Sequence, residues 1–220
     1  MQIKEAEIIV IKGLYRDGSI DNKFVDKISD VIVSGGIVVM PTDSIYGLVG
    51  LDTTQAKRSI LELTNSTDTN LVRVISSFRM LNQIAEINKF DYDFLNRIWP
   101  GKVSVILQRC SESHGEQLIT VRFPRPKFFV DIIEDAGKPL LLSDAVNKSG
   151  TYSCKKNDII ESYKNSVDLI VIIEDLCGMH PLCTYIDITQ NNLNVILEGK
   201  ISHEEISSLY YIGKDDDIEY

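Results

Sequence analysis

The sequence predicts a single α/β domain built on a mixed β-sheet. Strand-like and helix-like segments alternate irregularly, and two consecutive β-rich runs over 103–108 and 118–123 favour an antiparallel pair over a purely parallel sheet. The sequence contains no long Gly/Ser/Pro linker, low-complexity tract or internal repeat, so one domain is expected. With 220 residues, 44% of them hydrophobic, the chain is long enough to bury a substantial core.

The first elements follow from capping residues and apolar spacing. Asp21 is a suitable N-cap for an amphipathic helix that ends at a pair of glycines, and a buried strand is expected directly afterwards over 37–40. Thr53 or Thr54 is expected to cap a second helix, which ends in a polar stretch. A strand over 71–76 is expected after that stretch.

The same signals predict the remaining elements. Further helices are expected over 80–87, 92–99, Lys127–Ala136 and 158–164, and after His203. Further strands are expected over 103–108, 118–123, 139–142, 168–173, 184–188 and 195–197. The domain is therefore expected to occupy residues 1–213, with an acidic C-terminal tail at 214–220.

Composition excludes several classes of function. The chain has 32 Asp and Glu against 23 Lys and Arg, a net charge of -9, which argues against a strongly basic nucleic-acid binder but permits a local positive patch. Acidic residues interrupt the N-terminal segment where a signal peptide needs an apolar core, and no stretch reaches membrane-span length, so a cytoplasmic protein is expected. The four cysteines include no CxxC pair, so reduced thiols and no metal site are expected.

Polar segments at three predicted strand ends are candidates for binding chemistry. They are PTDS at 41–44, SDAVNKSG at 143–150 and CTYID at 183–187, and the sequence contains neither GxxxxGK[ST] nor GxGxxG. Hydroxyls and exposed backbone N–H groups at such ends can bind an anion, although the same residue types also serve as caps and turns. Arg122, at the end of an apolar strand, indicates either a carboxylate or phosphate ligand or an internal ion pair.

Seven segments together resemble a known family. PTDSIYGL at 41–48 resembles the PTDTxYGL signature of the YrdC-type family, the L-threonylcarbamoyl-adenylate synthases. Six more segments resemble that family in the same order, namely LEL at 61–63, WPGKVS at 99–104, VRFP at 121–124, PLLLSDAVNKSG at 139–150, CTYID at 183–187 and ILEGKI at 196–201. Seven matches in one order indicate the fold of this family.

The resemblance implies both an architecture and a reaction. The architecture is one YrdC-like domain with a twisted open mixed sheet, helices on both faces and a large, positively charged concave cavity. The reaction converts L-threonine, bicarbonate and ATP, which enters with Mg²⁺, into threonylcarbamoyl-AMP and pyrophosphate. This nucleotidyl transfer supplies a downstream tRNA-modifying transferase that forms threonylcarbamoyladenosine for translation.

The resemblance also assigns roles on the threonine side. Thr42, Ser44 and Tyr46 match the threonine pocket of the family. Arg122 matches an arginine that holds the amino-acid carboxylate, and Thr184 lies where a Ser/Thr pair contacts the same substrate. These side chains are therefore expected to line one concave pocket.

On the nucleotide side, Ser143 and Asn147 match the segment that contacts the phosphates and base. They are expected to line the same pocket as the threonine-side residues. The resemblance carries over no residue as a catalytic group and none as a metal ligand.

Four cations of the family pattern are missing. The K-x-R that meets the triphosphate and bicarbonate falls on Thr64 and Ser66, a downstream lysine falls on Asn70, and the arginine of ILRxG falls on Glu198. Each lost charge-assisted hydrogen bond is expected to cost about 1.5–3 kcal/mol of ligand binding. Candidate replacements nearby in sequence are Lys57, Arg58, Arg73 and Lys102.

Three functional hypotheses follow. The first is an active but divergent threonylcarbamoyl-adenylate synthase. The second is a catalytically inactive paralogue that keeps the cavity and binds a nucleotide, an RNA feature or a protein partner, because a shared fold does not fix function. The third is a protein that binds double-stranded RNA or tRNA, which the net charge of -9 disfavours.

Overall fold

The computed structural model describes residues 5–65, 71–110, 116–146, 151–152, 155–174, 176, 182–190 and 192–212. The strands in these ranges are β1 (Glu7–Ile11), β2 (Val38–Pro41), β3 (Tyr46–Leu51), β4 (Val72–Val74), β5 (Ala85–Glu86), β6 (Val103–Arg109), β7 (Leu118–Arg122), β8 (Leu140–Asp144), β9 (Leu169–Ile173), β10 (Thr184–Asp187) and β11 (Asn194–Leu197). The helices are α1 (Asn22–Val33), α2 (Thr54–Thr64), α3 (Phe78–Ile84), α4 (Lys89–Ile98), α5 (Lys127–Ala136), α6 (Lys156–Tyr163) and α7 (His203–Tyr211).

The strands form one mixed sheet. Its order is β1-β9-β2-β3-β8-β4-β7-β6-β10-β11, and the short β5 pairs with β6 beside this path. The pairs β1·β9, β2·β9, β4·β7 and β6·β10 are parallel, whereas β2·β3, β3·β8, β4·β8 and β6·β7 are antiparallel. The predicted mixed sheet, with its antiparallel pair between β6 and β7, is therefore confirmed.

Local capping explains where two of the helices begin. The Asp21 carboxylate accepts a hydrogen bond from the Lys23 backbone N–H at 3.1 Å, and the Thr53 hydroxyl accepts one from Ala56 N–H at 3.2 Å. These bonds satisfy backbone donors that lack a partner in the first turn of a helix. Thr53, rather than Thr54, is thus the cap of α2.

The core lies on both faces of the sheet. In β2, the buried side chain of Val38 packs in one hydrophobic cluster and that of its neighbour Val39 in the other. Successive side chains of a strand point to opposite faces, so a strand buried on both sides is uniformly apolar. None of the helices in the described ranges is long and apolar enough to cross a membrane.

The sequence did not predict β1, β3 or β5. In β3 the apolar run contains two glycines, which depress strand propensity. A Cβ placed on Gly47 would overlap the Leu142 side chain and lie 2.9 Å from Thr42 Cγ2, so a larger residue there would force these two buried side chains to shift. The predicted strand over 71–76 is shorter in the structure, and the predicted tail at 214–220 lies outside the described residues.

Candidate functional site

A cavity of about 310 Å³, here called the first cavity, lies over the centre of the sheet. Its described lining residues are Thr64, Leu71, Val72, Arg122, Leu142, Ser143, Asp144, Val146, Tyr152 and Tyr185. Strand register explains part of this set. Val72 lies opposite Leu142, and Val74 lies opposite Arg122, so these side chains share one face of the sheet.

Arg122 is the central charged group of the first cavity and is buried. Its Nη1 donates a hydrogen bond to Cys183 Sγ, and its Nη2 lies 3.5 Å from Asp43 Oδ1. Its Nε is buried without a hydrogen-bond partner among the described residues. The guanidinium is thus held in place by two neighbours, whereas its Nε donor is left unsatisfied there.

Two carboxylates set the electrostatics around Arg122. Burial alone would lower the pKa of Arg122, but the nearby Asp43 and, less strongly, Cys183, Tyr185 and Asp144 outweigh it and raise that pKa. Burial raises the pKa of Asp144, Arg122 opposes this change, and the Asp43 charge adds to it. The guanidinium therefore stays protonated, whereas Asp144 holds a proton more readily than an exposed aspartate.

Cys183 and Tyr185 also surround the guanidinium. Burial raises the pKa of Cys183 to about 11 and that of Tyr185 to about 12, although Arg122 lowers both. Since the positive charge of Arg122 only partly offsets burial, both groups are neutral near pH 7. They are therefore hydrogen-bonding groups rather than anions in this cavity.

The structure places Thr184 apart from these groups. It neighbours Tyr185 in β10, and successive residues of a strand face opposite sides of the sheet. Its hydroxyl donates to Ile201 O at 2.7 Å and accepts from the backbone N–H groups of Gly199 and Ile201, each at 3.1 Å. Thr184 therefore anchors the loop between β11 and α7, and its predicted role with threonine stays a prediction.

The Thr42 hydroxyl of the PTDS segment is also satisfied internally. Thr42 Oγ1 donates to Ile45 O at 2.7 Å and accepts from Ser44 N–H at 3.3 Å. Thr42, Ser44 and Tyr46 are all buried, and none of them is among the described lining residues of the first cavity. The structure thus brings Arg122 into the cavity but keeps these three within the β2–β3 connection, and their roles in binding stay predictions.

On the nucleotide side, Ser143 lines the first cavity beside Asp144. Asn147, the other predicted nucleotide contact, lies outside the described residues, as do Ser66 and Asn70. Thr64 lines the cavity at the end of α2, where its hydroxyl donates to Ile60 O at 2.9 Å. A lysine at the position of Thr64 would therefore reach the cavity.

Glu198 has a structural role. It is exposed, and its carboxylate accepts a hydrogen bond from the His203 backbone N–H at 3.0 Å, at the start of α7. A carboxylate at a helix N-terminus is favourable because the first N–H groups there carry partial positive charge. Glu198 is not among the described residues that line the first cavity.

Three of the four candidate replacement cations are engaged in ion pairs. Lys57 pairs with Glu116, Arg58 with Glu62 on the surface, and Arg73 with both Asp52 and Glu116. Burial would raise the pKa of Glu116, but Lys57 and Arg73 together lower it. Among the described lining residues of the first cavity, Arg122 is the one basic side chain and Asp144 the one acidic side chain.

A second cavity, of about 470 Å³, lies on the other side of Asp43. It is formed mainly by α4, the 99–103 segment, the segment after β7 and α7, and Lys102 belongs to its lining. Asp43 lines this second cavity and its ion-pair partner Arg122 lines the first. The Arg122–Asp43 pair therefore links the linings of the two cavities.

Sequence reasoning missed Asp43, Asp144, Cys183 and Tyr185 as neighbours of Arg122. Strand periodicity was the signal that could have identified Cys183 and Tyr185. Residues 183 and 185 lie on one face of the strand, and residue 184 lies on the other. Among the described residues, no group of three or more His, Cys, Asp or Glu side chains could hold a metal ion.

The protein is an α/β protein with a twisted open sheet and a buried arginine in a cavity over that sheet. Comparison with family models identifies the family to which this architecture belongs. The Sua5/YciO/YrdC family model, described as telomere recombination, matches residues 30–199. The chain therefore belongs to the Sua5/YciO/YrdC family, and the predicted resemblance is confirmed.

Two curated proteins are similar to this chain at low sequence identity. An uncharacterized protein of Haemophilus influenzae is 26% identical over 192 residues, which are 80% of this chain and 89% of that protein. The threonylcarbamoyl-AMP synthase of Mus musculus is 24% identical over 123 residues, which are 51% of this chain and 42% of the mouse protein. The alignment thus spans less than half of that enzyme.

Solved structures confirm the fold class. YciO of E. coli superposes with a TM-score of 0.76 at 20% identity, covering 89% of this chain and 96% of YciO. P. abyssi Sua5 complexed with L-threonine superposes with a TM-score of 0.77 at 22% identity, covering 91% of this chain and 60% of Sua5. At these identities the likeness establishes the twisted open α/β fold.

Proposed function

We propose that this protein is a threonylcarbamoyl-AMP synthase-like nucleotidyltransferase that binds L-threonine in the first cavity. The observation that carries this proposal is the buried Arg122, whose Nε has no hydrogen-bond partner among the described residues. Buried donors are nearly always satisfied, so an unsatisfied donor on an arginine that lines a cavity favours an acceptor ligand. Family membership and the existence of a Sua5 complex with L-threonine support an amino acid as that ligand.

The charges of the first cavity suit a zwitterion. A threonine carboxylate would bind the guanidinium of Arg122, and the ammonium group would face the carboxyl group of Asp144, which lines the same cavity. Two opposite partners in one cavity discriminate an amino acid from a simple carboxylic acid, since the acid would leave Asp144 unpaired.

The same arrangement supports the carbamoylation step. The threonine nitrogen must lose protons before it can bond to the carbon of bicarbonate, and water leaves as the carbamate forms. Burial raises the pKa of Asp144, with Arg122 opposing, so Asp144 is suited to accept one of these protons. A carbamate oxygen then attacks the α-phosphorus of MgATP, the bond to pyrophosphate breaks, and Ser143 and Asn147 are the proposed nucleotide contacts.

A second candidate is favoured by one observation. Arg122 is the one basic residue among the described lining residues of the first cavity, and Asp43 already pairs with it. Nucleotidyl transfer depends on neutralising phosphate charge, so a cavity with few cations favours slow turnover or an inactive paralogue. Such a paralogue would bind a nucleotide, double-stranded RNA, tRNA or a protein partner, whereas an active enzyme would supply a tRNA-modifying transferase.

Pyrophosphate release tests the proposal. The natural protein with L-threonine, bicarbonate and MgATP is expected to release pyrophosphate only when threonine is present. Arg122→Lys is expected to raise the threonine KM at least about tenfold, because lysine keeps the charge but lacks the Nε–H donor and the planar geometry of the guanidinium. Arg79→Ala, which removes an exposed cation on α3, is the matched control and is expected to leave KM unchanged.

Calorimetric titration with L-threonine distinguishes the two candidates. Threonine binding without pyrophosphate release supports the inactive paralogue. Pyrophosphate release that does not require threonine, or threonine binding that Arg122→Lys leaves unchanged, would refute the placement of threonine at Arg122.

A further inference from the structure

The second cavity has the apolar walls of a small-molecule site. Ile98 of α4, Val103 of β6 and Ile206 and Leu209 of α7 contribute hydrophobic surface around a volume of about 470 Å³. Ligand sites are commonly cavities of about 300–1,000 Å³ with apolar walls and a few well-placed polar groups. The second cavity is larger than the first, at about 310 Å³.

Basic side chains surround this cavity. Lys102, Arg125 and Lys200 line it, and none of the three forms an ion pair in the described part of the chain. Arg97 also lines it and donates to Leu209 O at 3.1 Å. In a chain with a net charge of -9, three unpaired cations around one cavity favour an anionic ligand.

The lining of the second cavity also includes a residue with a buried carboxylate. Asp43 is 5% exposed, lines the second cavity, and has no hydrogen bond to either carboxylate oxygen among the described residues. Its one ion-pair contact there is Arg122 Nη2, at 3.5 Å. A buried carboxylate without hydrogen bonds is costly, so a ligand that offers an N–H donor to Asp43 would stabilise the site.

We propose that the second cavity is a binding site for an organic anion that has an apolar body and an N–H donor group. The anionic group binds Lys102, Arg125 and Lys200, the apolar body packs against Ile98 and Leu209, and the N–H group donates to Asp43. Glu205 is the other acidic residue of the lining and is exposed, so it limits the charge of the ligand without excluding an anion. This site does not depend on threonine binding at Arg122.

The Arg122–Asp43 pair would couple the two cavities. A donor on Asp43 competes with Arg122 for the same carboxylate, so an occupied second cavity leaves more of the guanidinium available to an anion in the first. Coupling of two binding equilibria is reciprocal, so a carboxylate on Arg122 favours binding in the second cavity by the same factor.

Anilinonaphthalene sulfonate is a suitable probe because it combines a sulfonate, aromatic rings and an N–H group. Its fluorescence in a titration with the natural protein is expected to rise to saturation at one site per chain. The double variant Lys102→Ala with Arg125→Ala is expected to raise the dissociation constant of the probe at least about tenfold, since two charge-assisted contacts are lost.

The matched control is Lys138→Ala with Arg79→Ala, which removes the same charges from exposed positions on other surfaces. It is expected to bind the probe within about twofold of the natural protein, because long-range charge effects are screened. Equal weakening in the two double variants, or fluorescence that does not saturate at one site, would overturn the proposal.

Two displacing ligands test the contact with Asp43. L-phenylalanine and phenylpropanoate share the carboxylate and the ring, and only the former carries an ammonium donor. We expect L-phenylalanine to displace the probe at a concentration about tenfold lower, because it adds a charge-assisted hydrogen bond to Asp43. Displacement at equal concentrations would overturn the role of Asp43 in this site.

Discussion

The guanidinium of Arg122 lies 3.5 Å from the carboxylate of Asp43, measured from Nη2 to Oδ1, and both side chains are almost completely buried. The two residues are brought together by the sheet, since Arg122 ends β7 and Asp43 follows β2. Because Arg122 lines one cavity and Asp43 the other, this pair supports both the fold and the candidate site.

Asp43→Asn is expected to destabilise the protein by about 3 kcal/mol. Breaking a buried pair leaves an uncompensated charge, which typically costs about 3–5 kcal/mol, and Asp144 offsets part of this loss. Urea denaturation measures the free energy of unfolding. Glu62→Gln, which breaks the exposed Arg58–Glu62 pair, is the control and is expected to change stability little. Equal effects in the two variants would contradict the importance of the buried pair.

Asp144 is expected to make stability fall as the pH rises. Burial raises its pKa in the folded protein, so the folded form keeps a proton at pH values where the unfolded chain has lost it. The loss begins near the ordinary aspartate pKa of about 4 and continues through the raised value. The stability of Asp144→Asn relative to the natural protein should therefore increase over that window. A relative stability that stays constant or decreases with pH would contradict the raised pKa.

Cys183 is expected to react slowly with alkylating reagents. The thiolate is the reactive form, and burial raises the pKa of Cys183 to about 11. At pH 8 the folded protein should therefore react with iodoacetamide at Cys183 about a hundredfold more slowly than the urea-unfolded chain. Mass spectrometry of the peptide that contains Cys183 measures this rate. Similar rates in the folded and unfolded protein would contradict the burial of the thiol.

Much of the fold could be predicted because its signals are local. Asp21 and Thr53 identify two helix starts through capping chemistry, and Gly137, with φ 69°, ends α5 as expected. The edge strand β1 was missed because its identity depends on pairing with β9, far away in sequence. The sequence of a short apolar run does not reveal its pairing partner, and such a run is compatible with a helix or with a strand.

The candidate site was predicted only in part for the same reason. The strand-end position of Arg122 indicates an anion partner, and the structure places Arg122 in a cavity. Its contacts Asp43 and Cys183 lie at strand ends 79 and 61 positions away in the sequence. Only the order of the strands in the sheet brings these residues together. The family resemblance assigns Thr184 to the threonine side, whereas the alternation of β10 places Tyr185 in the lining of the first cavity.

Under the proposed function, Arg122 binds the amino acid, and no other basic side chain among the described lining residues of the first cavity serves ATP. Thr64→Lys tests it, because Thr64 lines the cavity and a lysine there would supply one charge-assisted contact, about 1.5–3 kcal/mol of binding free energy. Gln55→Lys adds the same charge at an exposed position of the same helix and is the matched control.

Calorimetric titration of MgATP into the natural protein and the two variants decides the matter. We predict weak binding to the natural protein, binding at least about tenfold tighter to Thr64→Lys, and no gain with Gln55→Lys. Tight binding by the natural protein, with no improvement in Thr64→Lys, would contradict the claim and show that other cations already serve the nucleotide.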